Sequence, residues 1–342
     1  MRYLVELPTA KVEAIKSLID SGKYQDAQSF ILTAIENQLY LEKQPIERFT
    51  PVEAQTMQSS EETYSPSLTL SLVSRPDFEQ PSNITVQDPN PEVLNAKYLW
   101  ALYNRIFPVK VTLRVLLNLL RTNPTDSGYT DLIAVTDAAA SEARKLNLVL
   151  SKIDKKSHRI HGEKLSAGLP HAGHRALERF KSHFVGAINS KGHVEGAPAL
   201  LRFINIRKDE AGHPQIGITE SGFRFAIMEN PILDKSDYSR VFHDEEIDFY
   251  LKHISEKLPK EYMLSMNMLK AIKNGNNTPN ELVKVIHEAD PNISSKGAYA
   301  IRSSAVSRLS ELGMLTRRRD GVNVRYILSK SALELLAIQT TN

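Results

Sequence analysis

The sequence predicts a mainly α-helical chain with short β elements, divided into a small N-terminal module, an extended linker and two further helical regions. Three observations lead there. Apolar residues recur at helical spacing within residues 1–41 and again within 258–342. Residues 42–92 hold seven of the 17 prolines: Pro45, Pro51, Pro66, Pro76, Pro81, Pro89 and Pro91. Near the C-terminus, Asp320-Gly321 separates two β-type runs, a strong hairpin signal.

Residues 3–7 alternate, with Tyr3, Val5 and Leu7 on one side and Arg2, Leu4 and Glu6 on the other. That pattern predicts a short strand, ended by Pro8. Thr9 can cap a helix whose apolar side is Val12, Ile15, Leu18 and Ile19, and Gly22 stops it. Asp26 can cap a second helix with Phe30, Ile31, Ala34, Ile35 and Leu39 along one stripe. So small a module cannot bury a core alone, and its lone strand needs a partner, most simply the same strand of a second chain.

The run VELP…IKSLIDSGKYQDAQSFILTAIENQL resembles the ribbon-helix-helix superfamily. The resemblance implies an intertwined homodimer through residues 1–41, with Tyr3, Val5, Leu7, Phe30, Ile31 and Ile35 at the dimer interface. In that family the paired strands can enter the DNA major groove. Here the outward residues are Arg2, Leu4 and Glu6, and Leu32 stands where such families often place arginine. An apolar residue and a carboxylate are poor ligands for phosphate-lined walls. Dimerisation is the expectation for this module, ahead of DNA reading.

Residues 42–92 carry nine acidic against three basic residues, a net of −6. Proline at this density blocks helix interiors and sheet ladders, so the segment reads as an acidic, disordered-like tether. Only Leu68-Thr69-Leu70-Ser71-Leu72 alternates like a strand.

The middle region, 93–257, is expected to be helical and winged-helix-like. Tyr98, Leu99, Leu102, Tyr103 and Ile106 suggest an amphipathic helix interrupted by Pro108, followed by a buried helix through Val111, Leu113, Val115, Leu116, Leu119 and Leu120. Asp131 to Ile153 reads as a long helix, and residues 200–206 and 215–218 as strands around a turn at Gly212. The piece TESGFRFAIMENPIL resembles the way winged helices finish, which suggests a second, divergent winged-helix-like unit at residues 109–232. Asp244-Glu245-Glu246 looks like an acidic helix start, favourable to the helix dipole.

Within the middle region, residues 151–191 form a basic insertion, nine Lys or Arg against three acids, net +6. Lys155, Lys156 and Arg159 lead its candidate phosphate contacts. Two His-x-x-His pairs, His158/His161 and His171/His174, lie among Gly162, Gly168, Pro170 and Gly173 and lack the carboxylate typical of catalytic zinc motifs. A basic loop is expected there, with no metal and no cofactor.

Residues 258–342 are also basic, twelve Lys or Arg against seven acids, net +5. A helix over 261–274 is expected with Met263, Met266, Leu269 and Ile272 inward, then one from Asn280 to Ala289 behind Thr278-Pro279. Ser294 or Ser295 starts a third, running to Leu312 with Ile301, Ala305, Leu309 and Leu312 buried. A hairpin turning at Asp320-Gly321 and a last helix from Lys330 to Ile338 follow. The order of elements, with VSRLSELGMLTRRRDGVNVRYILS as its specific part, resembles the winged helix-turn-helix fold. The third helix offers Lys296, Tyr299, Arg302 and Ser303 for groove contact, and Arg317, Arg318, Arg319 and Arg325 cluster on the wing.

The net charge of +3 is thus a cancellation between an acidic tether and two basic regions. The absence of cysteine removes disulfides, thiolate metal sites and cysteine nucleophiles, and it fits a cytoplasmic protein. MRYLVELP lacks a signal-peptide core, and no apolar run of about 18 residues occurs, so no membrane association is expected. No nucleophile elbow, P-loop or dinucleotide loop is present, and an enzyme is not expected. These features together predict a dimeric, sequence-specific protein for double-stranded DNA, by analogy a transcriptional regulator. A plasmid- or virus-type replication or partition protein is the alternative, and a dimeric adaptor using winged helices to hold a protein partner is the competitor outside DNA binding.

Overall fold

A computed structural model describes residues 9–20, 26–27, 31, 72–75, 84–89, 98–99, 102–160, 162–171, 173–320 and 323–338. The chain separates into two compact units, 1–66 and 67–342. It is mainly helical, with small antiparallel sheets. Among the described residues no helix is long and apolar enough to cross a membrane.

In the first unit, α1 spans Thr9–Asp20, as the spacing of Val12, Ile15 and Ile19 predicts. Ala27 and Ile31 are helical, and Ile31 is exposed. The expected strand at 3–7 and the other proposed dimer residues, Tyr3, Val5, Leu7, Phe30 and Ile35, lie outside the described residues.

The second unit is built on α2, Phe107–Thr122, whose core-facing residues are buried on nearly every side. Here the structure corrects the expected helix through Tyr98–Ile106. The described residues of that stretch are not helical, and Pro108 sits in the first turn of α2 rather than interrupting a helix. Proline is favoured there because a first-turn N–H has no intrahelical partner to lose. The strand β1 (Tyr129–Asp131) leads into α3 (Leu132–Lys156), which Asp131 caps by accepting from the N–H of Ala134. Then come α4 (His174–Phe180) and a π-helical turn, Lys181–Val185. The glycine-rich half of the basic insertion is irregular as expected, but its second half is helical.

A two-residue hairpin, β2 (Ala187–Ile188) and β3 (Val194–Glu195), and a short α5 (Ala197–Leu200) precede β4 (Ile204–Lys208) and β5 (Pro214–Ile218). The sheet order is β1-β5-β4, all antiparallel, with Tyr129 opposite Gly217 and Ile206 opposite Ile216. Thr219 caps α6 (Glu220–Ile227) through the N–H of Gly222. A Cβ on Gly222 would stand 1.9 Å from the carbonyl oxygen of Phe203, so the Thr-x-x-Gly spacing reflects a close backbone approach. Next come α7 (Pro231–Lys235), capped by Asn230, and α8 (Asp244–Lys257) with its acidic first turn.

Only Leu258 separates α8 from α9 (Pro259–Lys273). On α9, Met266, Leu269 and Ile272 face inward as expected, but Met263 is 60% exposed and Leu264 and Met268 are buried. Residue 263 falls one position off the face that 261, 264, 265, 268 and 272 share. A Thr278–Glu281 capping box opens α10 (Pro279–Ala289), and Ser294 caps α11 (Ser295–Glu311). Gly313, at φ +68°, ends that run. Then β6 (Leu315–Asp320) pairs with β7 (Asn323–Leu328), and α12 (Lys330–Ile338) closes the chain. Asp320 pairs with Asn323, so Asp320 belongs to β6 rather than to the expected Asp320-Gly321 turn.

Part of the stretch read as a tether lies on this unit. Asn118 donates to the carbonyls of Leu72 and Ser74 at 2.8 and 3.1 Å, and Val73 is buried. Further on, the N–H of Gln87 donates to Ile218 O at 2.8 Å, at the end of β5. The alternating segment 68–71 is outside the described residues, and Leu72-Val73 form a turn.

Candidate nucleic-acid interface

The hairpin sets the geometry of the arginines. In its register Leu315 faces Leu328, Arg317 faces Tyr326 and Arg319 faces Val324, while Thr316 faces Ile327 and Arg318 faces Arg325. Side chains alternate along a strand, so the first three pairs share one side and the others the opposite side. Leu315 and Tyr326 are buried, which makes theirs the inner side. The expected single cluster of wing arginines is therefore two groups. Arg318 and Arg325 stand directly opposite on the outer side, both exposed. Arg317 and Arg319 lie on the inner side, Arg317 half-buried beside Tyr326 and Arg319 exposed near the tip.

Tyr326 ties the hairpin to the helices. Its N–H donates to Asn277 O at 2.8 Å, in the link before α10. Its hydroxyl accepts from Nη1 of Arg302, on α11, at 3.1 Å. Lys296 and Ser303 are exposed on α11, and Tyr299, 45% exposed, donates its hydroxyl to Oδ1 of Asn280 at 3.2 Å. Among the described residues none of Lys296, Arg302, Arg317, Arg318, Arg319 and Arg325 has a carboxylate in ion-pair range.

The middle region contributes less evenly. Lys155 and Lys156 are exposed in the last turn of α3, where positive charge also suits the helix dipole. Arg159 is half-buried and engaged: Nη2 donates to Tyr238 O, and Nε lies 3.8 Å from Asp154 Oδ1. Asp154 in turn accepts from the N–H groups of Leu165 and Ser166, at 2.9 and 3.0 Å, so Arg159 helps hold the loop after α3. Arg159 and Thr316 line one groove of about 610 Å³, which brings the insertion to the base of the hairpin. Sequence reasoning passed over Arg207, whose guanidinium lies 3.7 Å from the ring centroid of Tyr129 on β1, and the exposed Lys208 next to it. Their signal was two basic residues at the end of a strand, before the turn.

Polar bonds join the helices that carry these candidate residues to the rest of the unit. Glu261 on α9 accepts from the N–H of Leu99 at 3.1 Å and pairs with Arg308 on α11. Arg308 also donates to Tyr103 O at 2.7 Å. Glu311 accepts from the N–H groups of Ile106 and Phe107, at 2.5 and 3.3 Å, where α2 begins with no side-chain cap of its own. Among the described residues no group of three or more His, Asp or Glu is placed to hold a metal ion. Compared with protein-family models, curated proteins and solved structures, the chain matches none.

Proposed function

We propose that this chain is a dimeric, sequence-specific DNA-binding protein that acts as a transcriptional regulator. Residues 1–41 act as a ribbon-helix-helix dimer module, and residues 258–342 act as a winged helix whose α11 and β6–β7 hairpin meet duplex DNA. The observation that carries the reading is the Arg318–Arg325 pair. Two like charges opposite each other on a hairpin are destabilising in the free protein, and an anionic partner removes that cost. DNA phosphates supply such charge, and Lys296 and Ser303 on the neighbouring helix widen the surface.

A second reading, a replication or partition protein, draws on a likeness within the chain. Leaving aside the π-helical turn, the two-residue hairpin β2–β3 and the short α5, the middle region runs helix, strand, helix, helix, hairpin, helix with sheet order β1-β5-β4. From α9 to α12 the order is the same, with Asn277 bonded to β7 in the place of the first strand. Two units of one topology in tandem suit two successive DNA segments.

Selection from random duplex DNA with the full chain separates these readings. An inverted repeat is expected for the dimeric regulator, a direct-repeat array for replication or partition, and no enrichment for a protein-binding adaptor. On the selected duplex, log affinity should fall linearly with log salt. The Arg318→Ala/Arg325→Ala variant should make that slope shallower by about 0.9 for each phosphate it no longer neutralises. A salt-independent interaction would overturn the DNA reading.

A further inference from the structure

We infer that Arg302 and Arg317, with Tyr326 between them, form a clamp for a single backbone phosphate, distinct in role from the outward Arg318–Arg325 pair. The inference rests on the DNA-binding reading and assigns these three residues to holding the duplex rather than reading its bases.

Three observations converge on this crook between α11 and the hairpin. The guanidinium of Arg302 is held in place by the hydroxyl of Tyr326 at 3.1 Å. Arg317 is the cross-strand neighbour of Tyr326, on the same side of the hairpin, so its side chain starts from the same inner surface. The Nε atoms of both arginines are buried and make no hydrogen bond. Two half-buried cations thus flank one tyrosine with no carboxylate in ion-pair range among the described residues. Buried charge is costly unless paired, and two buried arginines of this unit are paired: Arg114 with Asp234 and Arg308 with Glu261.

The exception is informative because of its geometry. A guanidinium fixed by a neighbour has lost the freedom needed to search base edges. It is already ordered to meet a tetrahedral oxyanion, whose oxygens its remaining N–H groups can bond. Tyr326 is itself fixed through its backbone N–H by Asn277 O, which anchors the centre of the clamp to the link before α10. A phosphate there would set the distance between α11 and the duplex without adding sequence preference.

The test uses the full chain, a 30-base-pair duplex of random sequence and the duplex recovered by selection, read by fluorescence anisotropy over a salt series. Arg302→Gln and Arg317→Gln should each weaken binding about tenfold, equally on both duplexes. Each should also make the log–log salt slope shallower by about 0.9. Arg302→Lys keeps the charge and should retain the slope. Tyr326→Phe keeps the ring and should lower affinity on the order of threefold with the slope unchanged, because it frees the guanidinium without removing charge. Thermal unfolding of each variant identifies any loss that is simply misfolding, and Arg302→Lys reports on the clamp where a Gln variant does not fold. A loss confined to the selected duplex would make Arg302 a base-reading residue and overturn the clamp. Wild-type affinity in both Gln variants, with Arg318→Ala/Arg325→Ala still impaired, would overturn the clamp and leave the DNA reading standing. Failure of the unaltered chain to bind either duplex would overturn both.

Discussion

At the scale of single residues, the hardest feature to read from sequence is charge hidden on an apolar helix. Lys110 and Arg114 look like the polar face of α2, yet both are fully buried. Lys110 Nζ lies 2.8 Å from Glu246 Oε1 and donates to the carbonyls of Phe225 and Met228. Burial pushes its ammonium down to about 8, with Glu246 opposing the shift. Arg114 meets Asp234 through two bonds of 2.8 and 3.0 Å. These pairs fasten α7 and α8 to α2, so the acidic start at Asp244-Glu245-Glu246 does more than suit a dipole: Glu246 is a buried anchor. Removing one partner of such a pair leaves the other buried and uncompensated. Lys110→Met should therefore lower unfolding free energy by about 3–5 kcal/mol in urea titrations. Lys110→Met with Glu246→Gln should recover part of that loss, because no net charge then remains in the core. If the double variant is no better than the single one, the cost lies in packing rather than charge.

At the scale of elements, the chain shows a helix whose start is completed by another helix. Ile106 precedes α2 without a capping side chain, and Glu311 from α11 accepts the N–H groups there instead. Burial raises the Glu311 carboxyl to about 7, against lowering by Arg105, by its two backbone N–H bonds and by Arg308. Between its ordinary 4.5 and about 7, the folded chain therefore holds a proton that the unfolded chain has released. That contribution to stability is complete below about 4.5 and lost as pH rises towards 7. Glu311→Gln, neutral throughout, should show a flatter profile of urea midpoint against pH in this window, the two curves diverging by on the order of 3 kcal/mol. Parallel curves would mean that Glu311 is ionised throughout. Most elements here were legible from local pattern: α3, the capped α10 and α11, and α12 from Lys330 to Ile338 follow from caps and periodicity. The β4–β5 hairpin does too, except that its first strand begins at Ile204 and the expected strand residues 200–203 form the end of α5 and a turn. Residues 98–99 and 102–106 were not legible, because they are non-helical and their N–H and C=O groups bond Glu261, Arg308 and Glu311. The same reason hid half of the candidate site. Period-two alternation separates Arg317 from Arg318, but only the pairing register shows that Tyr326, and through it Arg302, belongs with Arg317.

At the scale of residues 67–342, the boundary drawn in sequence between 257 and 258 crosses a continuous core. Buried residues run without a break from α2 through α8 to α9 and α11, and the Glu261–Arg308 pair, at 1% and 4% side-chain exposure, sits where the two sequence regions meet. A seam of this kind transmits disturbance. Were the two regions independent, breaking that pair would loosen α9–α12 and leave α2 and α3 unaffected. In a single cooperative body, removing Arg308 leaves Glu261 buried without its cation and removes the bond to Tyr103 O, at a cost of about 3–5 kcal/mol felt on both sides. Hydrogen exchange on Arg308→Ala decides between these cases. The slowest amides of α2 and α11 should lose protection by the same free energy. If α11 loses protection and α2 keeps it, the two halves fold separately and, under the proposed function, the hairpin arginines approach DNA independently of the middle region. Equal loss would tie the spacing between Lys155, Lys156 and the hairpin to the core itself, so that under the proposed function the length of duplex contacted is set by packing rather than by a linker.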